Sequence, residues 1–267
     1  MKRLAALFMC GAMLFSMAGC SGTAGSDSSK DGGAQAQADS DLKYIKDKGS
    51  LVVGITDFEP MDYKKDGEWI GFDADLAKAF AEKLGVKCEF VEIEWDSKIM
   101  ELDGKTIDCV WNGMTLTDEV KSSMNCSNPY LDNAQVVVVK KDTDASDLTK
   151  LTFAVESGSA GDKAAQEKSY QTVQVKDQAT ALMEVEAGTS DAAIIDALMA
   201  SAMIGEGTSY EDLITGESLT SEQYGVGFRK NSDVTAELNS FLKECDSNGK
   251  LSEIGKTYKV DKALVKQ

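Results

Sequence analysis

LVVGITDFEP, residues 51–60, is the key to the rest of the chain. Leu51 to Thr56 is a short apolar run, and Asp57, Phe58, Glu59 and Pro60 end it, so the segment reads as a buried strand opening into a loop. Beyond Gly67 and Gly71, residues 72–84 place Leu76, Ala77, Phe80, Ala81 and Leu84 at helical spacing. Asp73 stands near the start of that run and Gly85 just past its end, which predicts an amphipathic helix. Val86 to Trp95 alternates as a strand through Cys88, Phe90, Ile93 and Trp95. A short helix at about 96–102, then Gly104 and a strand over Ile107 to Trp111, complete a strand-helix-strand-helix-strand order. That order argues for an open α/β sheet with crossover helices.

A second unit repeats the pattern. Val136 to Val139 is wholly apolar, and Leu151 to Glu156 is strand-like and stops at Ser157-Gly158-Ser159-Ala160-Gly161, where a helix opens. Thr172 to Val175, a helix through Ala181, Leu182, Val185 and Glu186, and a strand over Asp191 to Asp196 follow. After Glu222-Gln223-Tyr224, a strand over Gly225 to Arg229 leads into an amphipathic helix carrying Val234, Leu238, Phe241 and Leu242 on one face. The expected fold is therefore two α/β units, the second interrupting the first. Lobe 1 is expected at 41–133 plus 224–267 and lobe 2 at 136–220. Hinge strands are expected at about 131–139 and 222–229. Ligand sites in open α/β sheets lie beyond the carboxyl ends of the strands.

Composition removes several functions. The chain has no histidine, so Ser-His-Asp and Cys-His nucleophile systems and histidine metal sites lack their central part. With 28 Lys+Arg against 45 Asp+Glu, a net −17, there is no basic footprint for nucleic acid. No cofactor and no metal site are expected. Cys88, Cys109, Cys126 and Cys245 form no C-x-x-C pair. Cys88 and Cys109 fall in strand-like stretches and read as buried free thiols, and spacing leaves open whether Cys109 and Cys126 pair.

Ahead of the body, Lys2 and Arg3 precede an uncharged apolar run over Leu4 to Phe15 and then Ser16-Met17-Ala18-Gly19-Cys20. This reads as a secretory signal over 1–19, too short to span a bilayer permanently. Ala18-Gly19-Cys20 resembles the lipobox of bacterial lipoproteins, with Met17 where leucine is usual, and implies acylation of Cys20. Residues 20–40 read as a flexible tether, which places the body outside the cytoplasm on a lipid anchor.

Taken together, the body resembles the extracellular solute-binding proteins of family 3 that serve polar amino-acid importers. The matching pieces are Gly54 to Pro60, Gly71-Phe72-Asp73-Ala74-Asp75-Leu76-Ala77, Ile107-Asp108, Gly113-Met114-Thr115-Leu116-Thr117-Asp118-Glu119 and Ser127-Asn128-Pro129-Tyr130. In the second unit they are Gly158-Ser159, Asp191-Ala192-Ala193 with Asp196, and Tyr224 to Lys230. The resemblance implies a two-lobed type II periplasmic-binding-protein fold. It also implies a monomer that closes on an amino acid or polar amine and delivers it to an ATP-driven permease. Phe58 and Trp95 then sandwich the ligand side chain. Asn112, the Gly113 carbonyl and the Thr115 hydroxyl hold the ammonium and carboxylate. Asp196 pairs the ammonium and doubles as a helix N-cap, with Glu59 among the nearby acids. Ser159, Ala160 and Gly161 offer helix-start N–H groups to an anion.

One departure matters. The family motif Thr-x-Glu-Arg supplies an arginine that grips the ligand carboxylate, and here that position is Val120. Lys121 is adjacent, but one residue turns a helical side chain by about 100° and lysine lacks the planar fork. Two readings follow. Either the Ser159 to Gly161 helix start and Thr115 carry the carboxylate, or the ligand has none and Asp57, Glu59, Glu156 and Asp196 favour a cation. Transport capture is the expected function and catalysis is not expected. The competing readings are an exported enzyme on the same scaffold, resembling the cyclohexadienyl dehydratases, and a lipoprotein adhesin or receptor.

Overall fold

A computed structural model describes residues 40–267 of this chain. The expected signal over 1–19, Cys20 and the tether up to residue 39 lie outside the described residues. Ser40 belongs to the folded body rather than to a tether. Its hydroxyl accepts from Lys43 N at 3.0 Å and caps α1 (Asp41–Lys48).

From α1 the chain enters β1 (Ser50–Ile55), turns through the hairpin β2 (Tyr63–Lys65) and β3 (Glu68–Ile70), and forms α2 (Phe72–Leu84). Then come β4 (Lys87–Glu92), α3 (Lys98–Asp103), β5 (Cys109–Val110), α4 (Asp118–Ser123) and β6 (Asn125–Cys126). A short strand β7 (Leu131–Asn133) precedes β8 (Gln135–Lys140), β9 (Thr152–Glu156), α5 (Ala160–Glu167), β10 (Gln171–Val175), α6 (Gln178–Ala187), β11 (Ala192–Asp196) and α7 (Ala197–Met203). The chain ends with β12 (Leu213–Ser218), β13 (Glu222–Tyr224), β14 (Gly227–Phe228), α8 (Val234–Ser247), α9 (Lys250–Thr257) and a final turn.

Two five-stranded sheets result, ordered β4-β1-β5-β14-β6 and β10-β9-β11-β8-β12. The first takes its strands from the two ends of the body and the second from the middle, so the second unit does interrupt the first. The fold is the two-lobed type II α/β arrangement. A two-stranded antiparallel ribbon, β7 with β13, lies on the path between the sheets.

Each sheet has a parallel heart. β1 pairs parallel with both β4 and β5, and β9 with both β10 and β11. A strand flanked on both sides and covered on both faces needs apolar side chains throughout, which is why Leu51 to Ile55 reads as an unbroken run. β8 shows the two faces separately. Val136 and Val138 join the large core that also holds Leu182, while Val137 and Val139 pack with Phe153 and Ala165 on the other side.

α2 buries Leu76, Ala77, Phe80 and Ala81, and the backbone N–H of Gly85 closes it on the carbonyls of Ala81 and Glu82. Before it, Gly71 sits at φ 135, and a Cβ there would meet the Met61 carbonyl oxygen at 2.0 Å, so only glycine fits.

Several expected boundaries move. The strand expected over 86–95 ends at Glu92, and Trp95–Ser97 is a 3₁₀ turn that sends the chain into α3. The strands expected over 107–111 and 225–229 pair only at Cys109–Val110 and Gly227–Phe228. β14 lies between β5 and β6, with Phe228 opposite both Cys109 and Asn125. Cys109 and Cys126 are thus two strand spacings apart, about 9 to 10 Å, beyond disulfide reach. All four described cysteines are free.

Candidate functional site

Four strand ends converge. β1 runs out into Phe58, β5 into Asn112, Gly113 and Thr115, β9 into Glu156 and the start of α5, and β11 into Asp196. Between them lies a cleft of about 270 Å³, a small-solute volume. Phe58, Trp95, Asn112, Gly113 and Thr115 line one side, and Ser159, Ala160 and Asp196 line the other. Eight of the ten expected ligand residues are therefore brought together. Glu59 and Gly161 are not. Glu59 stays in the tight turn where Phe58 N–H and Asp62 O bond at 2.7 Å. Gly161 presses on the second sheet, where a Cβ would meet Gln135 Oε1 and the Ile194 carbonyl at 2.9 Å.

The aromatic wall is buried. Phe58 is 2% and Trp95 7% exposed, and Phe58 meets the Tyr224 ring edge-on at 6.3 Å. Gly113 makes this wall possible. It has φ 53, and a Cβ would fall 2.5 Å from Phe58 Cε1. Its N–H donates to Asp73 Oδ2 at 2.6 Å, which pins the loop.

Three of the expected side chains are bonded to other protein groups. The Asn112 side chain is wholly engaged within the first lobe, accepting from Thr56 N and Oγ1 at 3.0 and 2.9 Å. Its amide nitrogen donates to the Thr56 carbonyl at 3.1 Å and to Asp62 at 2.8 Å. It ties β1 to β5 and leaves only its backbone for a ligand. The Thr115 hydroxyl donates to Glu222 Oε1 at 2.8 Å. Asp196 makes no cap bond to α7. Its Oδ1 accepts from Asn133, from Gln135 at 3.0 Å and from the Tyr224 hydroxyl at 2.6 Å, and its Oδ2 from Gln178. Burial, then the neighbouring charge of Glu222, push Asp196 up to about 7.

Of the four acids weighed from sequence, Glu156 and Asp196 line the cleft, and Asp57 and Glu59 do not. Glu156 differs from Asp196 in having one free oxygen, although Thr56 hydrogen-bonds the carboxyl. It is buried, its Oε1 has no hydrogen-bond partner, and burial followed by the charge of Asp196 pushes its pKa up to about 8. A buried polar atom without a partner is costly, and a bound solute relieves that cost. At the opening of α5, the Ser159 hydroxyl accepts from Asp162 N at 3.0 Å as a conventional N-cap.

Val120 forms apolar floor, packed with Trp95, Ile107, Val110 and Met114. Lys121 is exposed and does not line the cleft. Arg229 is far from it, at the base of the first lobe. It donates to the carbonyls of Leu102 and Ile107 and pairs with Asp41 and Asp108.

Lys98 was not anticipated. It is 7% exposed, lines the cleft, and lays its ammonium 4.8 Å from the Trp95 ring centroid. Its position three residues after Trp95, one helical turn on, is the signal that could have found it.

Comparison with known proteins agrees with this geometry. The family described as bacterial extracellular solute-binding proteins, family 3, matches residues 51–261. The arginine-binding extracellular protein ArtP of Bacillus subtilis is 30% identical over 220 residues, covering 79% of this chain and 86% of that protein. The ABC transporter glutamine-binding protein GlnH of the same organism is 30% identical over 254 residues, covering 90% and 89%. Among solved structures, a mutant of ArgBP from T. maritima superposes with a TM-score of 0.77 at 34% identity, covering 82% of this chain and 98% of that one. A Streptococcus pneumoniae ABC uptake transporter binding protein with bound histidine gives 0.75 at 29%, covering 82% and 96%.

Proposed function

Because this chain belongs to family 3 of the bacterial extracellular solute-binding proteins, we propose that it captures a free amino acid in its cleft and delivers it to an ATP-driven importer. The observation that carries the reading is the partnerless Glu156 Oε1 in a cleft of about 270 Å³ that the buried rings of Phe58 and Trp95 also line. Such a site offers stacking for a side chain, an acceptor for an ammonium and helix-start N–H groups for a carboxylate. ArtP, GlnH and the histidine-bound structure are each named for an amino-acid ligand or hold one, which supports the class.

In this reading, the units over 41–133 plus 224–267 and 136–220 are the lobes. The ribbon of β7 and β13 with its flanking residues is the hinge, and closure is driven by ligand contacts made from both sides. The ligand-facing residues are Phe58, Trp95, Gly113, Ser159, Ala160 and Glu156, with Asp196 holding the hinge amides in place. Cys20 is the acylated first residue of the mature chain and keeps a monomeric body at the outer face of the membrane. Binding is favoured over turnover by the amino-acid-binding relatives ArtP and GlnH, and Asp196, whose two oxygens are held by four donors, lacks the freedom of a general acid.

A thermal-shift screen of the twenty L-amino acids and L-cystine tests this. A ligand at a hundredfold excess over its dissociation constant stabilises the protein by about 2.7 kcal/mol. Silence across the whole panel, with prephenate consumed, would replace binding with catalysis.

A further inference from the structure

The cleft is lined by two cations, Lys98 and Lys163. Lys163 is exposed, whereas Lys98 is buried. Lys98 Nζ donates to the Trp95 carbonyl at 3.0 Å and to the Gly158 carbonyl at 3.2 Å. One carbonyl comes from the turn before α3 and the other from the loop that opens α5, so the ammonium bridges the two sides of the cleft. Both hydrogen-bond partners are neutral, and the charges that act on the ammonium come from Glu156, Glu119 and Asp96, none of which is bonded to it. A lysine ammonium carries three N–H donors, and two are accounted for.

The Gly158 contact also fixes where the charge sits. Gly158 immediately precedes the Ser159 cap, which takes the Asp162 N–H, while Gly158 N–H donates to Asp162 Oδ2 at 3.2 Å and the N–H of Ala160 at the first position of α5 stays open. An ammonium and a helix start therefore meet in one corner of the cleft, which is a corner for an anion. The Thr115 hydroxyl, the other donor expected there, is committed to Glu222. Val120 supplies no charge.

We propose that Lys98 is the cationic anchor for the carboxylate of the bound solute, reaching from α3 into the corner that the α5 start completes. The assignment rests on the reading of the cleft as an amino-acid site and makes that site selective for solutes with a free carboxylate. Facing it, the Glu156 carboxyl receives the ammonium, so the two charged ends of a zwitterion have separate partners. Decarboxylated amines are discriminated against because they leave Lys98 buried without its anion.

Calorimetric titration of the wild type, Lys98→Met and Lys98→Arg tests the assignment. The probes are the tightest binder among the twenty L-amino acids and L-cystine, and the amine obtained by removing that ligand's α-carboxyl group. The wild type is expected to prefer the amino acid by about 10- to 100-fold, the range of a charged hydrogen bond. Lys98→Met should lose that preference and Lys98→Arg should keep most of it. A Lys98→Met protein with the wild-type preference overturns the assignment. So does a wild type that binds acid and amine equally well, a result that needs no variant to fold and leaves solute binding intact. A wild type that binds nothing in the panel instead overturns the amino-acid reading itself, and the Lys98 assignment with it.

Discussion

Asp196 and Glu222 present one oxygen each to the same two amide donors. Asn133 Nδ2 donates to Asp196 Oδ1 and to Glu222 Oε1 at 2.7 Å, and Gln135 Nε2 donates to the same pair at 3.0 and 2.7 Å. Two carboxylates thus share the chain segment where the ribbon of β7 and β13 meets the second sheet. The arrangement holds the segment together while keeping negative charges close.

The first consequence is a pH dependence of stability. Burial and Glu222 push Asp196 up to about 7, and burial and Asp196 push Glu156 up to about 8. A carboxyl that holds its proton more tightly when folded makes the native state the more protonated one between its unfolded and folded values. Stability is then fully present near pH 4 and falls as pH rises through about 7 and 8. Urea unfolding should give a lower midpoint at pH 8 than at pH 5. Glu156→Gln should flatten that slope, gaining on the order of 2 kcal/mol over the wild type at pH 8. Parallel pH profiles for the two proteins would contradict this.

The Trp95 ring already carries the Lys98 ammonium on its face, so a solute entering the cleft changes the surroundings of this tryptophan. Binding should alter the intrinsic emission, and Trp95→Phe should abolish the change while weakening affinity by about 3- to 10-fold. Trp69→Phe, outside the cleft lining, should preserve the response. Stopped or equilibrium fluorescence titration reads both.

Gly113→Ala combines two costs. The backbone at φ 53 is disfavoured for any residue with a Cβ, and the added methyl collides with Phe58. Together they should destabilise the protein by about 2–4 kcal/mol and displace the aromatic wall, so urea unfolding and ligand titration should both worsen. An alanine variant with unchanged affinity would separate Gly113 from the ligand wall.

Arg229→Met should behave in the opposite way. It strands Asp41 and Asp108 without their cation and should cost about 3–5 kcal/mol of stability. Affinity, measured by calorimetry well below the melting transition, should stay at the wild-type value because Arg229 lies outside the cleft.

What could be read from the chain beforehand follows from sequence distance. β1, β9 and β11 announce themselves because parallel strands buried on both faces need unbroken apolar runs, and α2 because a helical stripe ends in a glycine cap. The two-residue strands β5, β6 and β14 are too short to show any period, and the hairpin of β2 and β3 is largely exposed, so it lacks an apolar face. Phe58, Trp95, Gly113 and Ser159 entered the candidate site through the family resemblance, and the strand ends before Phe58 and Gly113 and the helix start at Ser159 were marked locally. The partners of Asn112 and Asp196 were not. Thr56 lies 56 residues from Asn112, and Gln135 lies 61 from Asp196. No local pattern says that those donors will consume the side chains. Lys98 has a local mark in its spacing from Trp95, but its second partner, Gly158, lies 60 residues away and no local pattern announces it.

The most direct test of the whole account is a crystal structure of the protein with its tightest-binding amino acid. The solute should lie against Trp95 and Phe58, with its carboxylate at Lys98 and the start of α5 and its ammonium at Glu156. Density for the solute anywhere else, or a cleft still filled by the Lys98 ammonium alone at saturating ligand, would contradict it.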